Sequence, residues 1–189
     1  EDAAMRTLIL YPMNALVEDQ VARLRRTLRA LRAAGGPALW FGRYTSSTPG
    51  GAQAIPVPGR RGDKRVARVA TDLRAATDEF ASLAELSPAA LAQFQDPGAD
   101  EMISRWDMIA TPPDILVTNH AMLSVMLLRE LEAPIFESTK AWLAQDSSRK
   151  FTLVVDELHL HRGTPGGEVA MILRSLFDRL GLEPDSPQL

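Results

Sequence analysis

Phe151-Thr-Leu-Val-Val-Asp-Glu-Leu-His159 joins a short apolar run to two adjacent carboxylates, with no turn residue between them. A continuous apolar run of this length is the pattern of a strand buried on both faces of a parallel sheet. In open α/β sheets the ligand crevice lies beyond the carboxyl ends of the strands, so Asp156 and Glu157 are expected to emerge there. Two acids at a strand end point to a bound cation; the plainer alternative is a strand that ends in charge facing water. The turn-rich Leu160-His-Arg-Gly-Thr-Pro-Gly-Gly167 follows. Val169, Ile172, Leu173, Leu176 and Leu180 then fall at helical spacing, and Gly181 supplies a stop. Strand, acidic tip, loop and amphipathic helix make one α/β unit.

Upstream, Arg6-Thr-Leu-Ile-Leu-Tyr-Pro12 is a β-prone run ended by proline. Val17, Val21, Leu24, Leu28 and Leu31 then repeat at steps of four and three, and Gly35-Gly-Pro37 closes the segment. The pattern predicts a strand and a helix over residues 6–34, with Arg23, Arg25, Arg26, Arg29 and Arg32 forming a solvated basic face. Ala38-Leu-Trp-Phe-Gly-Arg-Tyr-Thr45 is a second strand candidate. Residues 46–63, rich in Gly, Pro and Ser, read as a loop. Val66, Val69, Leu73, Ala76, Phe80 and Leu83 keep helical spacing beyond it, and Ser87-Pro88 opens a second short helix. The insertion begins with Arg60, Arg61, Lys64, Arg65 and Arg68, a basic cluster better read as a solvated helix end than as a phosphate-binding surface. Asp96-Pro-Gly98 is a turn signal, and Asp114-Ile-Leu-Val-Thr118 is a third strand run. A helix over 119–128 follows, expected to pack Met122, Val125, Met126 and Leu127 inward.

At 189 residues, 46% hydrophobic and 24% charged, the chain has the composition of a single folded domain, which excludes a disordered or fibrous polypeptide. A formal net charge of −3 gives no overall basic footprint, so any nucleic-acid contact must be local. The lack of cysteine removes disulfides and thiolate metal sites and fits a cytoplasmic location. No basic leader and no apolar stretch of membrane-spanning length occur, so no membrane partner is expected. A first residue of Glu1 suggests a processed product or a fragment.

Several segments carry a family resemblance. Val154-Val-Asp-Glu-Leu-His159 resembles the Walker B or DExH box of superfamily 2 helicases. The continuation Arg162-Gly-Thr-Pro-Gly-Gly-Glu-Val-Ala170 resembles that of a bacterial DExH branch serving in DNA repair and in anti-phage defence systems such as DISARM and Druantia. Leu10-Tyr-Pro-Met-Asn-Ala-Leu-Val-Glu-Asp-Gln20 resembles motif Ia, and Pro112-Pro-Asp-Ile-Leu-Val-Thr-Asn119 with Met122-Leu123 resembles motif Ib. Ser104-Arg-Trp-Asp-Met108 is similar to the approach to that motif. Tyr44-Thr-Ser-Ser-Thr-Pro49 is similar to a segment that often carries glycine where Ser46 stands, and serine takes a positive φ far less readily. The resemblance covers most of the chain outside residues 46–98.

The fold this resemblance implies is α/β: a mostly parallel RecA-like sheet flanked by helices, incomplete, with an inserted loop and helices over residues 46–110. Residues 1–189 would be the central part of one helicase ATP-binding domain. The implied activity is ATP hydrolysis coupled to movement along nucleic acid, single-stranded or duplex, most of all DNA. By the family pattern Asp156 holds Mg²⁺, Glu157 orients the attacking water, both face ATP, and His159 links nucleotide state to the second motor domain. Pro12, Met13, Asn14, Thr118 and Asn119 would touch the nucleic-acid backbone; as plain alternatives, Asn14, Thr118 and Asn119 serve equally well as helix caps.

His120 and His161 inherit no role. His159 and His161 with Asp156 or Glu157 lack both a third convergent ligand and helical HExxH spacing, so zinc is not expected. No Gly-x-x-x-x-Gly-Lys-Ser/Thr loop occurs in the chain. The family order places it upstream of Glu1, so the isolated chain is expected to be inactive as an ATPase and to need the remainder of the helicase, second motor domain included. The family's strand order also leaves residues 151–155 along an open edge, from which self-association of the isolated chain is expected. The competing reading is an ATPase-inactive nucleic-acid-binding or adaptor module, for which a water-orienting Glu157 has no use.

Overall fold

The structure is a computed structural model that describes residues 2–12, 14–51, 64–83, 87–96, 98–157 and 164–189; the side chains of 14–16, 65, 88, 89, 164 and 165 are outside that description. Five strands, β1 (Thr7–Tyr11), β2 (Phe41–Arg43), β3 (Glu101–Met102), β4 (Ile115–Asn119) and β5 (Thr152–Val155), pair in the order β3-β2-β4-β1-β5, and every pairing is parallel. The helices are α1 (Asn14–Ala33), α2 (Lys64–Ser82), α3 (Pro88–Leu91), α4 (Arg105–Ala110), α5 (His120–Leu128), α6 (Ala133–Gln145) and α7 (Thr164–Leu180). A 3-10 turn at Glu130–Glu132 leads into α6. This is the expected α/β architecture, a parallel sheet between helical layers.

The period-2 pattern of the strands divides the core. Leu8, Leu10 and Leu116 are fully buried on one face with Met126, Ile135, Phe136 and Leu176 from the helices α5, α6 and α7. Ile9, Tyr11, Val117 and Phe41 face the other way, against Val17, Val21 and Leu28 of α1. At Gly42 in β2 an added Cβ would run into Met108 Sδ of α4, so the absent side chain is what lets that helix close on the sheet. Two helix ends follow the glycine rule. Gly35 (φ 81°) and Gly181 (φ 70°) each close a six-to-one bond, Gly36 N–H to Leu31 O at 2.9 Å and Leu182 N–H to Phe177 O at 2.9 Å.

At the amino edge of the sheet Asp114 fastens three segments. Its carbonyl accepts from Arg6 and Thr7 N–H, and its carboxylate accepts from Trp40 N–H at 2.9 Å and pairs with Arg6.

Several expectations from sequence need correction. Residues 151–155 are not a strand buried on both faces: β5 lies on the outside of the sheet, α1 does not reach over it, and Val154 is 43% exposed. The open edge itself is as expected; among the described residues only Phe151 N–H at its start is taken, by Gln188 O at 2.7 Å. The second strand is shorter than 38–45. The stretch between β2 and β4 is not wholly loop and helix, because residues 101–102 add the edge strand β3 beside β2. In α5 the inward set is His120, Leu123, Met126 and Leu127, while Val125 is 40% exposed. α7 begins at Thr164, inside the stretch read as loop.

The arginine face of α1 departs furthest from expectation. Arg25 is 2% exposed and grips Glu101 of β3 with both arms, Nε to Oε2 and Nη2 to Oε1, each 2.7 Å, while Nη1 donates to Ala92 O at 3.2 Å. One and two turns on, Arg29 meets Asp96 at 2.9 Å and Arg32 pairs with Asp100. Three arginines therefore tie the segment 92–101 to α1, and that is why so short an edge strand forms at all.

Removing one partner of a buried pair strands the other charge, so Arg25→Ala should lower unfolding free energy by about 3–5 kcal/mol. Arg25→Met with Glu101→Leu should recover most of that loss in urea denaturation. Equal losses in the single and double variants would show that packing, and not the pair, is what matters there.

Candidate functional site

The carboxyl edge of the sheet collects the segments singled out in the sequence. In register, Leu10 stands opposite Thr118 on one side and Val155 on the other, and Tyr11 stands opposite Asn119. Asp156 continues the ladder, its N–H donating to Leu10 O at 2.9 Å. The tips of β4, β1 and β5 are thus adjacent, carrying Thr118–Asn119, Tyr11–Pro12 and Asp156–Glu157 in that order.

Asp156 and Glu157 are half-buried. Asp156 Oδ1 accepts from Glu157 N–H at 3.0 Å, which turns the chain sharply after the strand. Glu157 takes φ 52°, the only positive φ of a non-glycine residue among those described. A left-handed conformation costs an ordinary residue about 1–2 kcal/mol, and such strain concentrates at functional positions. Beside them Tyr11 is 7% exposed; burial, reinforced by the Asp156 charge and opposed by Arg23, pushes its hydroxyl pKa up.

Thr118 and Asn119 are turned to structural work. Thr118 is fully buried and its Oγ1 donates to Tyr44 O at 2.6 Å, tying the end of β4 to the end of β2. Asn119 Oδ1 accepts from Met122 N–H at 2.7 Å as the N-cap of α5. Pro12 is half-buried at the β1 tip. Met13 and His159 lie outside the described residues, as does the side chain of Asn14, whose backbone opens α1. His161 is also outside them, and His120 is 8% exposed in the first turn of α5. Among the described residues no three His, Asp or Glu side chains converge as a metal cage. Nor is any described helix long and apolar enough to cross a membrane.

The turn after β2 forms without a left-handed residue at Ser46. Thr48 Oγ1 donates to Arg43 O at 2.7 Å and accepts from Thr45 N–H at 3.0 Å, and the positive φ falls instead on Gly50 (81°). The hydroxyls substitute for the backbone freedom that glycine would have given. Tyr44, Arg105, Arg129 and Glu132 gather behind this turn and were not singled out in the sequence. Tyr44 and Arg105 do fall inside recognised segments, but Glu132 gives no signal, being one acid in the charged run Arg129-Glu-Leu-Glu132.

A parallel α/β sheet with an acidic pair at the tip of β5 and a capped helix start after β4 is the frame, and kinship makes the chain a helicase-type fragment. The chain is homologous to a segment of Druantia protein DruE of Escherichia coli (strain UMEA 4076-1), with 32% identity over 225 aligned positions covering 94% of this chain and 12% of that protein. It is also similar to the Mycobacterium smegmatis helicase Lhr, whose structure is bound to ssDNA and AMP-PNP: TM-score 0.49, 22% identity, covering 95% of this chain and 16% of that one. The chain therefore spans a small part of each relative. No family model matches it. The resemblance to the Druantia branch, read from the motifs, is borne out by the first of these relatives.

Removing the buried Thr118 hydroxyl leaves Tyr44 O without its donor, so Thr118→Val should cost about 1–3 kcal/mol. Asn119→Ala removes a cap and should cost about 1 kcal/mol. Thermal melts read both, and unchanged stability in Thr118→Val would contradict the geometry described.

Proposed function

We propose that the chain is the central part of the first RecA-like motor domain of an ATP-dependent helicase or translocase acting on nucleic acid, DNA in particular. The observation that carries this reading is the position of Asp156 and Glu157, at the carboxyl end of β5 and in ladder contact with β1, in a chain related to DruE along nearly its whole length. Antiviral defence is the biological setting this kinship favours, with DNA repair as the other activity of the branch, and the cytoplasm is the compartment.

The donor set suits Mg²⁺. Two hard carboxylates stand at the tip without any third protein ligand among the described residues, and Mg²⁺ with nucleotide phosphates and water takes its remaining ligands from those. Bound Mg²⁺–ATP would supply the leaving group and the charge neutralisation of phosphoryl transfer. Asp156, with Oδ1 engaged by the Glu157 N–H, would hold the metal through its carboxylate. Glu157, placed by the left-handed turn after β5, would orient and polarise the attacking water. His159 would report nucleotide state to the second motor domain.

In this reading the phosphate-cradling loop comes from elsewhere in the protein, since the chain has no such sequence; the 189 residues alone do not turn over ATP. The starts of α1 at Asn14 and of α5 at Asn119 would offer helix N-termini to backbone phosphates, with Pro12 and Met13 in the same proposed contact. Thr118, buried as it is, would act there by holding β4 to β2.

Glu157→Gln in the full-length protein should retain Mg²⁺–ATP binding and lose hydrolysis by about 10²- to 10⁴-fold, the range for removing a general base or its equivalent. Phosphate release and nucleotide affinity measured side by side decide it; near-normal turnover would refute the role of Glu157.

A further inference from the structure

The buried polar cluster behind Tyr44 has no part in the mechanism above. Glu132 is fully buried, accepts from Tyr44 hydroxyl at 2.8 Å through Oε1, and has Arg129 Nη2 at 3.3 Å from the same oxygen. Its Oε2 finds no hydrogen-bond partner. Arg105 lies over the Tyr44 ring at 5.8 Å, and its Nε donates to Thr48 O at 3.1 Å. Tyr44 stays neutral, because burial and the Glu132 contact push its hydroxyl pKa well up. Arg129 therefore has the carboxylate to itself, while Arg105 lies against the neutral Tyr44 ring with a backbone carbonyl as its hydrogen-bond partner, which leaves a positive excess. Glu130 does not offset it: its side chain is 91% exposed and its contact is Arg179, at 4.0 Å.

Placement decides what could answer that charge. Tyr44 follows the carboxyl end of β2, takes the Thr118 hydroxyl on its own carbonyl, and so adjoins the α5 start. Arg105 opens α4 at the same edge, its N–H donating to Pro49 O at 2.8 Å. Three strand spacings, about 14 Å, separate β2 from β5. That distance puts Tyr44 and Arg105 on the β2 side of the sheet, away from the carboxylate tip; Arg129, the C-cap of α5, joins them through Glu132. Both arginine stems are already anchored, so little side-chain entropy is left to lose, and a guanidinium fork matches phosphate oxygens better than a lysine does.

We propose that Arg105 and Arg129, held in place by the buried Tyr44–Glu132 pair, form a subsite for one backbone phosphate of the bound nucleic acid. The subsite rests on the nucleic-acid reading given above and names residues that reading did not use. Glu132 is a positioning residue: it aims Arg129 and fixes Tyr44, against which Arg105 lies.

The test is binding of a fluorescent oligo-dT strand to the full-length protein across a salt series, with nucleotide affinity and melting temperature read in parallel. Arg105→Gln and Arg129→Gln should each weaken binding roughly tenfold and flatten the plot of log affinity against log salt by about 0.7, the single-strand value per phosphate contact. Arg105→Lys and Arg129→Lys should keep the wild-type slope while losing part of the affinity. These lysine variants carry the test if a glutamine variant does not fold. Gln variants that melt lower yet bind with wild-type affinity and slope would overturn the subsite and leave the cluster a structural tie; so would Lys variants that bind as the wild type does. Wild-type protein that binds no strand at all would refute the nucleic-acid reading itself, a separate result.

Discussion

The register of β1 with its two neighbours is the constraint on which everything else depends. Because Leu10 is paired with Thr118 on one side and Val155 on the other, three segments far apart in sequence end at one level and on one edge. A one-residue slip of β5 would turn Leu153 and Val155 away from the helical layer and bring Thr152 and Val154 into it, a change the apolar packing opposes. The same slip would reverse the direction in which Asp156 leaves the strand. Core packing and site geometry are therefore set by the same hydrogen bonds.

Charged side chains do more of the assembly than is usual in a core of this size. Asp114 gathers the amino edge, Arg25 with Glu101 secures β3, and Glu132 with Tyr44 and Arg129 holds the turn after β2. Each of these short segments has too little apolar surface to place itself: β3 has two residues and β2 three. Ion pairs and directional hydrogen bonds supply the registry that hydrophobic contact cannot.

Much of this was legible in the residues. The long periodic elements α1, α2 and α7 and the runs that became β1, β4 and β5 follow from hydrophobic spacing and from glycines at helix ends. The acidic strand tip was legible too, since Asp156-Glu157 directly follows an apolar run. What periodicity could not give was the identity of partners. Arg25 occupies a position between apolar helix residues and looks solvated until Glu101, 76 positions away, is brought to it. Thr118 and Asn119 fit a binding motif and a pair of structural bonds equally well, and only coordinates show the hydroxyl turned inward. β5 looked buried on both faces because its composition is that of a central strand; its actual exposure depends on how far α1 extends across the sheet.

The central claim is that the carboxyl edge works as one ATP-driven device, with the acids at β5 answering to a strand bound along the tips of β1, β4 and β2. ATP turnover by the full-length protein, measured with and without single-stranded DNA, tests it most directly. The account predicts Mg²⁺-dependent hydrolysis that rises when the strand is added. Tight strand binding with neither ATP binding nor hydrolysis would contradict it and leave a nucleic-acid-binding module built on the same sheet.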